Sequence, residues 1–390
     1  MLRSRAGSVV GGGIGRAAAM SLRYYDIGLN LTDPMFRGVY NGKQYHENDT
    51  LEVLNRAQQA NVASAMLTGS SIAESREAIE LCHEYKEHAV ALGYTVGVHP
   101  CCVNEFVNAD ARIDSPSNDQ AANAAMHCEL DDAHENLAVL YRLMEQQLAS
   151  DPQRFKAIGE IGLDYDRFHY SGKEMQLIFF EEQLKLSCLV SNPRLPLFLH
   201  MRSCCDDFVT ILRKFVNGFH DHEDRFKLSH LAGSGETVHY KFDPERKFVI
   251  HSFTGSLEEL QRLLDVSPNS FIGINGCSLK SAENLECASA VPIDRLLLET
   301  DAPWCDIRRT HSSYKHLKDY TNRFNSVKKD KLAKLPSDQW SNVMVKSRNE
   351  PCTMEQVAIV VADLKKMDLN ELVDQVWSNT TAVFDSNVSE

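Results

Sequence analysis

The chain carries the run FKAIGE at residues 155–160, a short strand-like stretch that ends on a carboxylate. Seven more apolar or β-branched runs occur along the chain, and helical patterns separate most of them. The other runs are YYDIG (24–28), SAMLT (64–68), YTVGV (94–98), PLFLH (196–200), KFVIH (247–251), SFIGI (270–274) and RLLLET (295–300). Apolar strands that alternate with helices are typical of a parallel sheet covered on both faces. Eight of them predict an α/β fold, a closed (β/α)8 TIM barrel.

Helical spacing or composition fills most intervals between these strands. Asp49 is predicted to cap the first helix. An open doubly wound sheet is the alternative fold, but no G-x-G-x-x-G follows the first strand, and the glycine run at 11–15 precedes it. The predicted helices span 49–60, 72–90, 133–150, 173–191, 205–216, 256–265, 280–289 and 354–368.

The chain divides into a leader and one large domain. Residues 1–22 contain arginines and small residues but no acid, so we expect either a disordered leader or a transit peptide there. Residues 23–390 are predicted to form the barrel. Two stretches without periodicity, about 104–132 and 217–245, are predicted to be surface insertions. The charge run HDHED (220–224) in the second is interpreted as a solvated loop.

Composition narrows the class of protein. No apolar run reaches the roughly 20 residues that span a bilayer, so no membrane association is expected. The 11 cysteines are odd in number, which argues against a disulfide framework and favours a reducing compartment, the cytoplasm or nucleus, or the mitochondrion if the leader is a targeting signal. A net charge of −13 argues against a broad, sequence-independent grip on nucleic acid. The oligomeric state is open, with a monomer favoured.

Ligand-type side chains stand at the carboxyl ends of the predicted strands, where barrel enzymes place their active sites. Glu160 ends the fourth strand, His200 the fifth and His251 the sixth, and Asp301 follows the eighth. Burying two carboxylates and two imidazoles together is unfavourable unless a cation offsets the charge. The four residues therefore predict a metal site.

The stretches around these residues resemble the TatD family of metal-dependent deoxyribonucleases, within the metallo-dependent hydrolase superfamily. The resemblance spans about 24–385, and the matching stretches occur in the family's order. They are KAIGEIGLDYD (156–166), PLFLHMR (196–202), VIHSFTGS (249–256) and LLLETDAPW (296–304), with YDIGLNLTDPMFRGVYNGKQYH (25–46), GVHP (97–100) and SRNEP (347–351) in agreement.

The resemblance implies a role for each strand-end residue. Glu160, His200, His251 and Asp301 match the family's metal ligands. Two of them are also implied to be catalytic. Glu160 bridges or binds the metals, and Asp301 orients or deprotonates the attacking water.

Substrate contacts are implied at three further positions. His99 and Arg202 fall in family motifs and are expected to contact phosphate, and Asn30 is placed with them. Many relatives carry H-x-H where this chain has Asn30-Leu31-Thr32, as an NLTD subgroup does. Fewer imidazoles lower the preference for zinc, so we expect Mg²⁺, with Mn²⁺ or Zn²⁺ as alternatives. One firm metal site and a second that substrate completes are predicted.

The implied function is hydrolysis of DNA phosphodiester bonds by metal-activated water, commonly as a 3′→5′ exonuclease on single strands. DNA, single-stranded or at 3′ ends, is then the partner. A fold does not fix a substrate, so a hydrolase of small esters, amides or aminoacyl esters is the alternative. A non-catalytic scaffold is a third interpretation, which the four intact ligands disfavour.

Residues 305–349 form the markedly basic stretch of this acidic chain. Tyr314, Tyr320, Phe324 and Trp340 are interleaved with its lysines and arginines. Basic residues mixed with aromatic ones suit a platform for single-stranded nucleic acid, and an ordinary polar crossover is the alternative.

Overall fold

A computed structural model describes residues 22–107, 130–231, 233 and 237–385 of the chain. Eight strands form one sheet in chain order, and each pairs in parallel with the next. The predicted (β/α)8 barrel is confirmed, and all eight predicted strands are present. Their bounds are β1 Tyr24–Leu29, β2 Val62–Leu67, β3 Ala91–Val96, β4 Phe155–Asp164, β5 Leu197–Arg202, β6 Phe248–Ile250, β7 Ser270–Ile274 and β8 Leu296–Leu298.

The first and last strands meet along a seam that closes the sheet. Leu29 and Ala302 form a parallel bridge. The backbone N–H of Asn30 donates to the Ala302 carbonyl at 2.8 Å, and that of Asp301 donates to the Gly28 carbonyl at 2.9 Å. Two predicted site residues, Asn30 and Asp301, therefore lie on the seam itself.

Helices cover the outside of the barrel, and each of the eight predicted helices is present. Seven lie within three residues of their predicted bounds, whereas the second, predicted as 72–90, ends at Glu84. The last helix, α9, was not predicted. The helices are α1 Thr50–Gln59, α2 Ile72–Glu84, α3 Leu130–Ser150, α4 Lys173–Leu189, α5 Cys205–Asn217, α6 Leu257–Leu264, α7 Ala282–Ala290, α8 Met354–Lys365 and α9 Leu369–Phe384. In the part of the chain that the structure describes, no helix has both the length and the apolarity to cross a membrane.

Short elements occupy several connections between the strands and helices. Two antiparallel pairs join Val39–Tyr40 to Lys43–Gln44 and Phe219–His220 to His239–Tyr240, and Asn325–Val327 pairs in parallel with Val343–Val345. A four-residue α-helix spans Lys329–Leu332. Single 3₁₀ segments are Pro34–Arg37, Pro100–Phe106, Leu228–His230, Cys277–Leu279, Ile293–Arg295, Ser312–Leu317, Ser337–Asn342 and Pro351–Thr353.

The prediction that Asp49 caps α1 is wrong. Asp49 occupies the N-cap position, but its carboxylate accepts no hydrogen bond from the helix backbone. The carboxylate instead receives two hydrogen bonds from Arg348, at 2.7 and 2.6 Å. The buried guanidinium group of Arg348 therefore binds the carboxylate oxygens of Asp49 that would otherwise accept hydrogen bonds from the helix backbone.

The barrel interior is filled by apolar side chains from six of its strands, which can meet only inside the closed sheet. The end of α9 packs against this cluster through Phe384, whose ring centroid lies 6.3 Å from that of Tyr25. At the other side of the cluster, Phe198 stacks on His251 with ring centroids 4.5 Å apart. The interior members are Tyr25, Ile27, Met66, Ala157, Phe198, Val249, Leu297, Val383 and Phe384.

The predicted insertions differ in how much of them the structure describes. Most of 104–132, like the predicted leader at 1–22, lies outside the described residues, and its ends belong to the Pro100–Phe106 segment and to α3. The stretch 217–245 holds the small antiparallel pair. Its HDHED run is not wholly solvated, because Asp221 accepts a hydrogen bond from the buried Lys185 at 2.7 Å.

Candidate metal centre

Four ligand-type side chains gather at the carboxyl ends of neighbouring strands. Glu160 and His200 lie on β4 and β5, and His251 directly follows β6. His99 comes shortly after β3 and begins the Pro100–Phe106 segment, where its Nδ1 accepts a hydrogen bond from the Cys101 backbone at 3.0 Å. The parallel order of these strands brings all four side chains to one edge of the barrel.

One carboxylate oxygen is the centre of the cluster. Oε1 of Glu160 lies 2.8 Å from Nδ1 of His200 and 2.7 Å from Nε2 of His251. Nε2 of His99 is 3.4 Å from the same oxygen. Glu160 and His251 are buried, and the other two imidazoles are partly buried. Three imidazoles thus converge on a single carboxylate oxygen.

Burial and charge act against each other on these groups. Burial favours the neutral form of Glu160, but His251, His99 and His200 outweigh it, so the pKa of Glu160 lies well below its ordinary value. Burial likewise disfavours charge on His200 and His251, yet hydrogen bonds and charge from nearby carboxylates, chiefly Asp164 for one and Glu160 for the other, raise the pKa of each. At His99, burial lowers the pKa to about 3. The cluster therefore offers a cation the carboxylate of Glu160, together with imidazole nitrogens whose lone pairs become available when the rings are neutral.

This donor set fits a divalent cation. Ligand atoms of His99, Glu160 and His200 all lie within 4.8 Å of one another, and a second such group joins His99 to Cys101 and Asp164. Near them, Nδ1 of His251 is buried without a hydrogen-bond partner. Imidazole nitrogens with carboxylate oxygens are ligands for zinc and manganese, and carboxylates with water suit magnesium. The residues therefore form a candidate metal centre.

Asp301 lies on the seam and belongs to neither of these two groups. Its Oδ1 accepts a hydrogen bond from Nδ2 of Asn30 at 2.9 Å, and its Oδ2 lies 3.2 Å from the Cys305 thiol. The Asn30 side-chain oxygen accepts in turn from the Thr68 hydroxyl at 2.5 Å. Burial raises the pKa of Asp301 to about 6, although His251 opposes the shift. Asn30 is therefore placed to orient Asp301.

Two arginines flank the cluster on the β4 and β5 side. Asp164, whose Oδ2 is 3.3 Å from Nε2 of His200, lies about equally far from Arg167 and Arg202, at 3.9 and 4.0 Å. Arg202 also donates from Nε to Asp166 at 2.9 Å. Both guanidinium groups are partly exposed at the barrel mouth. Arg202 was predicted to lie near the site, whereas Arg167 was not.

Sequence reasoning also missed Glu299, which lies fully buried behind His251. Its Oε2 is 3.5 Å from Nδ1 of His251, and its other oxygen accepts a hydrogen bond from the Ser252 backbone. Nδ2 of Asn275 is 3.3 Å from that same oxygen. The available signal was the predicted strand RLLLET (295–300), which places Glu299 at the same carboxyl end as Asp301.

Strained backbone follows three of the strands that carry site residues. Ser203, Ser252 and Asp301 have φ values of 55°, 47° and 53°, in the left-handed region that residues other than glycine rarely adopt. Each such residue costs about 1–3 kcal/mol and persists only where the surrounding structure holds it. Strain at these positions is typical of a functional site.

Two of the four aromatic side chains in the predicted platform at 305–349 are buried. Phe324 and Trp340 are only 6% and 8% exposed, and both belong to apolar clusters. Trp340 packs in a cluster with Tyr40 and Leu332, so its ring is not free to stack on a base. These two rings are therefore structural, whereas Tyr314 and Tyr320 are only partly buried.

Comparison with known proteins gives consistent matches over nearly the whole chain. A family model described as TatD related DNase matches residues 25–385. The chain is 54% identical over 385 residues to deoxyribonuclease Tat-D of Saccharomyces cerevisiae, covering 93% of this chain and 91% of that one. It is 29% identical to the 3′-5′ ssDNA/RNA exonuclease TatD of Erwinia amylovora, covering 92% of this chain and 99% of that one. A crystal structure of an uncharacterized amidohydrolase from Saccharomyces cerevisiae, 54% identical, superposes with a TM-score of 0.85 over 93% of this chain and 100% of that one.

Proposed function

Because this chain belongs to the TatD related DNase family, we propose that it hydrolyses phosphodiester bonds of DNA at the metal centre on its barrel mouth. The observation that supports this most directly is the convergence of His99, His200 and His251 on one oxygen of Glu160. An arrangement of this kind has its ligands ready for a cation and lies at the barrel end where substrates enter.

The metal would be held by the residues that the cluster supplies. Glu160, His200 and His251 are the proposed ligands of a firm site, with His99 close enough to join them and Asp301 contributing from the seam. The chemistry that a divalent cation supplies in such a site is activation of water and neutralisation of phosphate charge. Because Asn30-Leu31-Thr32 supplies no imidazole from the first strand, Mg²⁺ is proposed as the cation, with Mn²⁺ or Zn²⁺ as the alternatives that the three imidazoles also suit. A second site is proposed to be completed by substrate phosphate.

The remaining side chains bind and orient the reactants. Asp301 is held at both oxygens, by Asn30 and by Cys305, and is proposed to orient the attacking water and accept its proton. Arg202 and Arg167 are proposed to contact a non-bridging phosphate oxygen, since guanidinium groups suit phosphate. Asn30 is proposed to act through Asp301, in place of the direct substrate contact that the resemblance implies.

We propose single-stranded DNA with a free 3′ end as the substrate. The relative from Erwinia amylovora, a 3′-5′ ssDNA/RNA exonuclease, supports this polarity. In the reaction, a water oxygen bonds to phosphorus and the bond from phosphorus to the 3′ oxygen of the preceding nucleotide breaks. The products are a 5′-mononucleotide and a strand one nucleotide shorter with a new 3′ hydroxyl.

The test is release of 5′-mononucleotides from a single-stranded oligonucleotide with Mg²⁺. Glu160→Ala should reduce the rate at least about a hundredfold, because the cation supplies several kcal/mol of charge stabilisation. Glu286→Ala is a matched control that removes an exposed carboxylate from α7 and should retain the wild-type rate. Full activity in Glu160→Ala would contradict the proposed site.

Polarity and substrate class need their own comparisons. Oligonucleotides blocked at the 3′ end should resist hydrolysis, whereas oligonucleotides blocked at the 5′ end should be hydrolysed at the rate of the unblocked strand. RNA of the same sequence tests whether this chain shares the ssDNA/RNA range of the bacterial relative. Faster turnover of small esters than of DNA by the same Mg²⁺-loaded protein would favour the alternative hydrolase.

A further inference from the structure

In the part of the chain that the structure describes, few large apolar side chains are exposed, and most of those lie on two loops. Among the described residues, Trp304 is 53% exposed, Phe168 is 42% and Tyr170 is 41%. Leu51 and Leu257 are the other exposed large apolar residues in that part of the chain. The exposed aromatic rings thus occur on the loops that follow β4 and β8.

Trp304 is tied closely to the candidate metal centre. It comes three residues after Asp301, and its backbone N–H donates to the Asp301 carbonyl at 2.9 Å. On the next residue, the Cys305 thiol lies 3.2 Å from the Asp301 carboxylate. The backbone that carries the indole is therefore fixed, while the ring itself is open to solvent.

The second aromatic group stands on the loop after β4, which carries Glu160. Phe168 packs against Tyr165 with ring centroids 5.1 Å apart. The Asn104 side chain donates to the Tyr170 carbonyl at 2.9 Å, which ties the loop to its neighbour. Phe168 directly follows Arg167 in the sequence, so the same loop carries an aromatic ring and a guanidinium group.

The sheet order places these two loops across the barrel mouth from each other. β4 and β8 are the fourth and eighth strands of an eight-stranded closed sheet, so half the barrel separates them. The ligand cluster around Glu160 and the seam at Asp301 occupy the same mouth. A strand of nucleic acid that crosses the mouth would meet an aromatic ring on either side of the metal centre.

We infer that Trp304 stacks on a nucleobase of the single-stranded substrate and that Phe168 stacks on another across the centre. The inference rests on the proposed nuclease function and names the side chains that bind the bases. Every base offers a flat face to an aromatic ring, so stacking is tolerant of sequence. The basic groups that would accompany the backbone, Arg167 and Arg202, lie on the Phe168 side.

Stacking also explains a preference for single strands. A base within a duplex has both faces covered by its neighbours, whereas an unpaired base can present a face to the indole. Trp304 would therefore discriminate by base exposure and not by base identity. Trp304 is a binding residue in this account, and the reacting atoms stay with Glu160 and Asp301.

Tryptophan fluorescence gives a test that needs no turnover. The chain has three tryptophans, and Trp340 is buried while Trp377 packs beneath Arg23 at 4.1 Å. Oligothymidylate added to the protein in EDTA should quench the emission of Trp304. The quenching should disappear in Trp304→Phe, which removes the reporter and keeps an aromatic ring. Undiminished quenching in that variant would overturn the inference.

Steady-state kinetics separate binding from chemistry. Trp304→Ala should raise KM for oligothymidylate about tenfold or more, the loss expected for one stacked base, with kcat within about threefold of wild type. Trp304→Phe should restore most of the affinity. On an abasic oligonucleotide of the same length, which has no base to stack, KM of Trp304→Ala should be nearly equal to that of the wild type. An equal rise on both substrates, or none on either, would overturn the inference.

The two proposals fail in distinguishable ways. Leu51→Ala removes another exposed apolar side chain and should leave KM unchanged, which controls for surface truncation. Hydrolysis by the wild-type protein without quenching and without a KM effect in Trp304→Ala would reject the stacking residue alone. Quenching without metal-dependent hydrolysis would reject the nuclease reaction alone and keep the stacking residue.

Discussion

Asp26 is a fully buried carboxylate in β1 that has no cationic partner among the described residues within ion-pair distance. It accepts hydrogen bonds from the Thr300 backbone at 2.8 Å and from the Thr300 hydroxyl at 2.5 Å. Burial raises its pKa to about 7, and these hydrogen bonds only partly oppose the shift. Its proton is therefore held more tightly in the folded protein than in the unfolded chain.

A pH dependence of stability follows from Asp26. Since the folded pKa of about 7 exceeds the ordinary value of 3.8, stability from this group is present at low pH and is lost as pH rises through 7. Between pH 6 and pH 8 the loss should be about 1.4 kcal/mol. Asp26→Asn mimics the protonated form and does not titrate. In urea unfolding, the stability of the variant relative to the wild type should therefore increase from pH 6 to pH 8. A difference that stays constant with pH would contradict the assignment.

The sequence predicts which single residues stand at the site, but not every side chain that each of them contacts. The strand-end positions of Glu160, His200 and His251 could be read from the sequence because chain position fixes the barrel end. His99 was predicted near the site as a phosphate contact, but its 3.4 Å approach to Glu160 depends on the register between β3 and β4, which tertiary packing sets. Glu299 was overlooked for a simpler reason, since its neighbour Asp301 carried the family motif.

At the scale of elements, a buried ionic network joins α1 to the segment before α8. Glu350 accepts from Nε of Arg56 at 2.6 Å and from Arg348 at 2.8 Å. Arg348 also pairs with Asp49. All four side chains are almost fully buried, so each charge depends on the others for solvation. The network fixes the C-terminal part of the barrel to its first helix.

Glu350→Gln should lower the free energy of unfolding by about 3–5 kcal/mol, because it leaves two buried guanidinium groups with one carboxylate. Urea denaturation followed by circular dichroism measures the change. Glu286→Gln on α7 changes an exposed glutamate in the same way and should shift stability by less than about 0.5 kcal/mol. Comparable effects of the two substitutions would argue against the network.

Elements followed from the sequence wherever local pattern determines them. Eight strands and eight helices have clear apolar runs or spacing, and each was predicted close to its observed bounds. The assignments that failed depend on distant contacts. Asp49 was expected to cap α1 but binds Arg348, 299 residues away in the sequence. The rings of Phe324 and Trp340 were expected at the surface but pack against other parts of the chain.

At the scale of the whole molecule, the metal should link binding to stability. Its proposed ligands come from β4, β5 and β6 and from the seam, so a cation would bind the folded barrel and not the unfolded chain. Ligand at a hundred times its Kd adds about 2.7 kcal/mol to stability. Mn²⁺ should therefore raise the apparent Tm of EDTA-treated protein, and Glu160→Gln should reduce the rise sharply. Equal shifts in both proteins would place the cation elsewhere.

The net charge of −13 bears on how the molecule meets a polyanion. A surface that repels DNA overall leaves attraction to a cation and to a few side chains at the mouth. Contacts limited to the mouth suit an enzyme that engages a chain end and few nucleotides. The acidic surface and the exposed rings of Trp304 and Phe168 are thus compatible, because stacking is not a charge interaction.

The seam between β1 and β8 has a consequence for the timing of synthesis. Asn30 and Asp301 are 271 residues apart in sequence and meet only when the barrel closes. A chain still emerging from the ribosome has its first strand, and later its imidazoles, but no closed mouth until residue 302 is available to bridge Leu29. The proposed centre is therefore incomplete in a nascent chain, and a product truncated before residue 301 should not hydrolyse DNA.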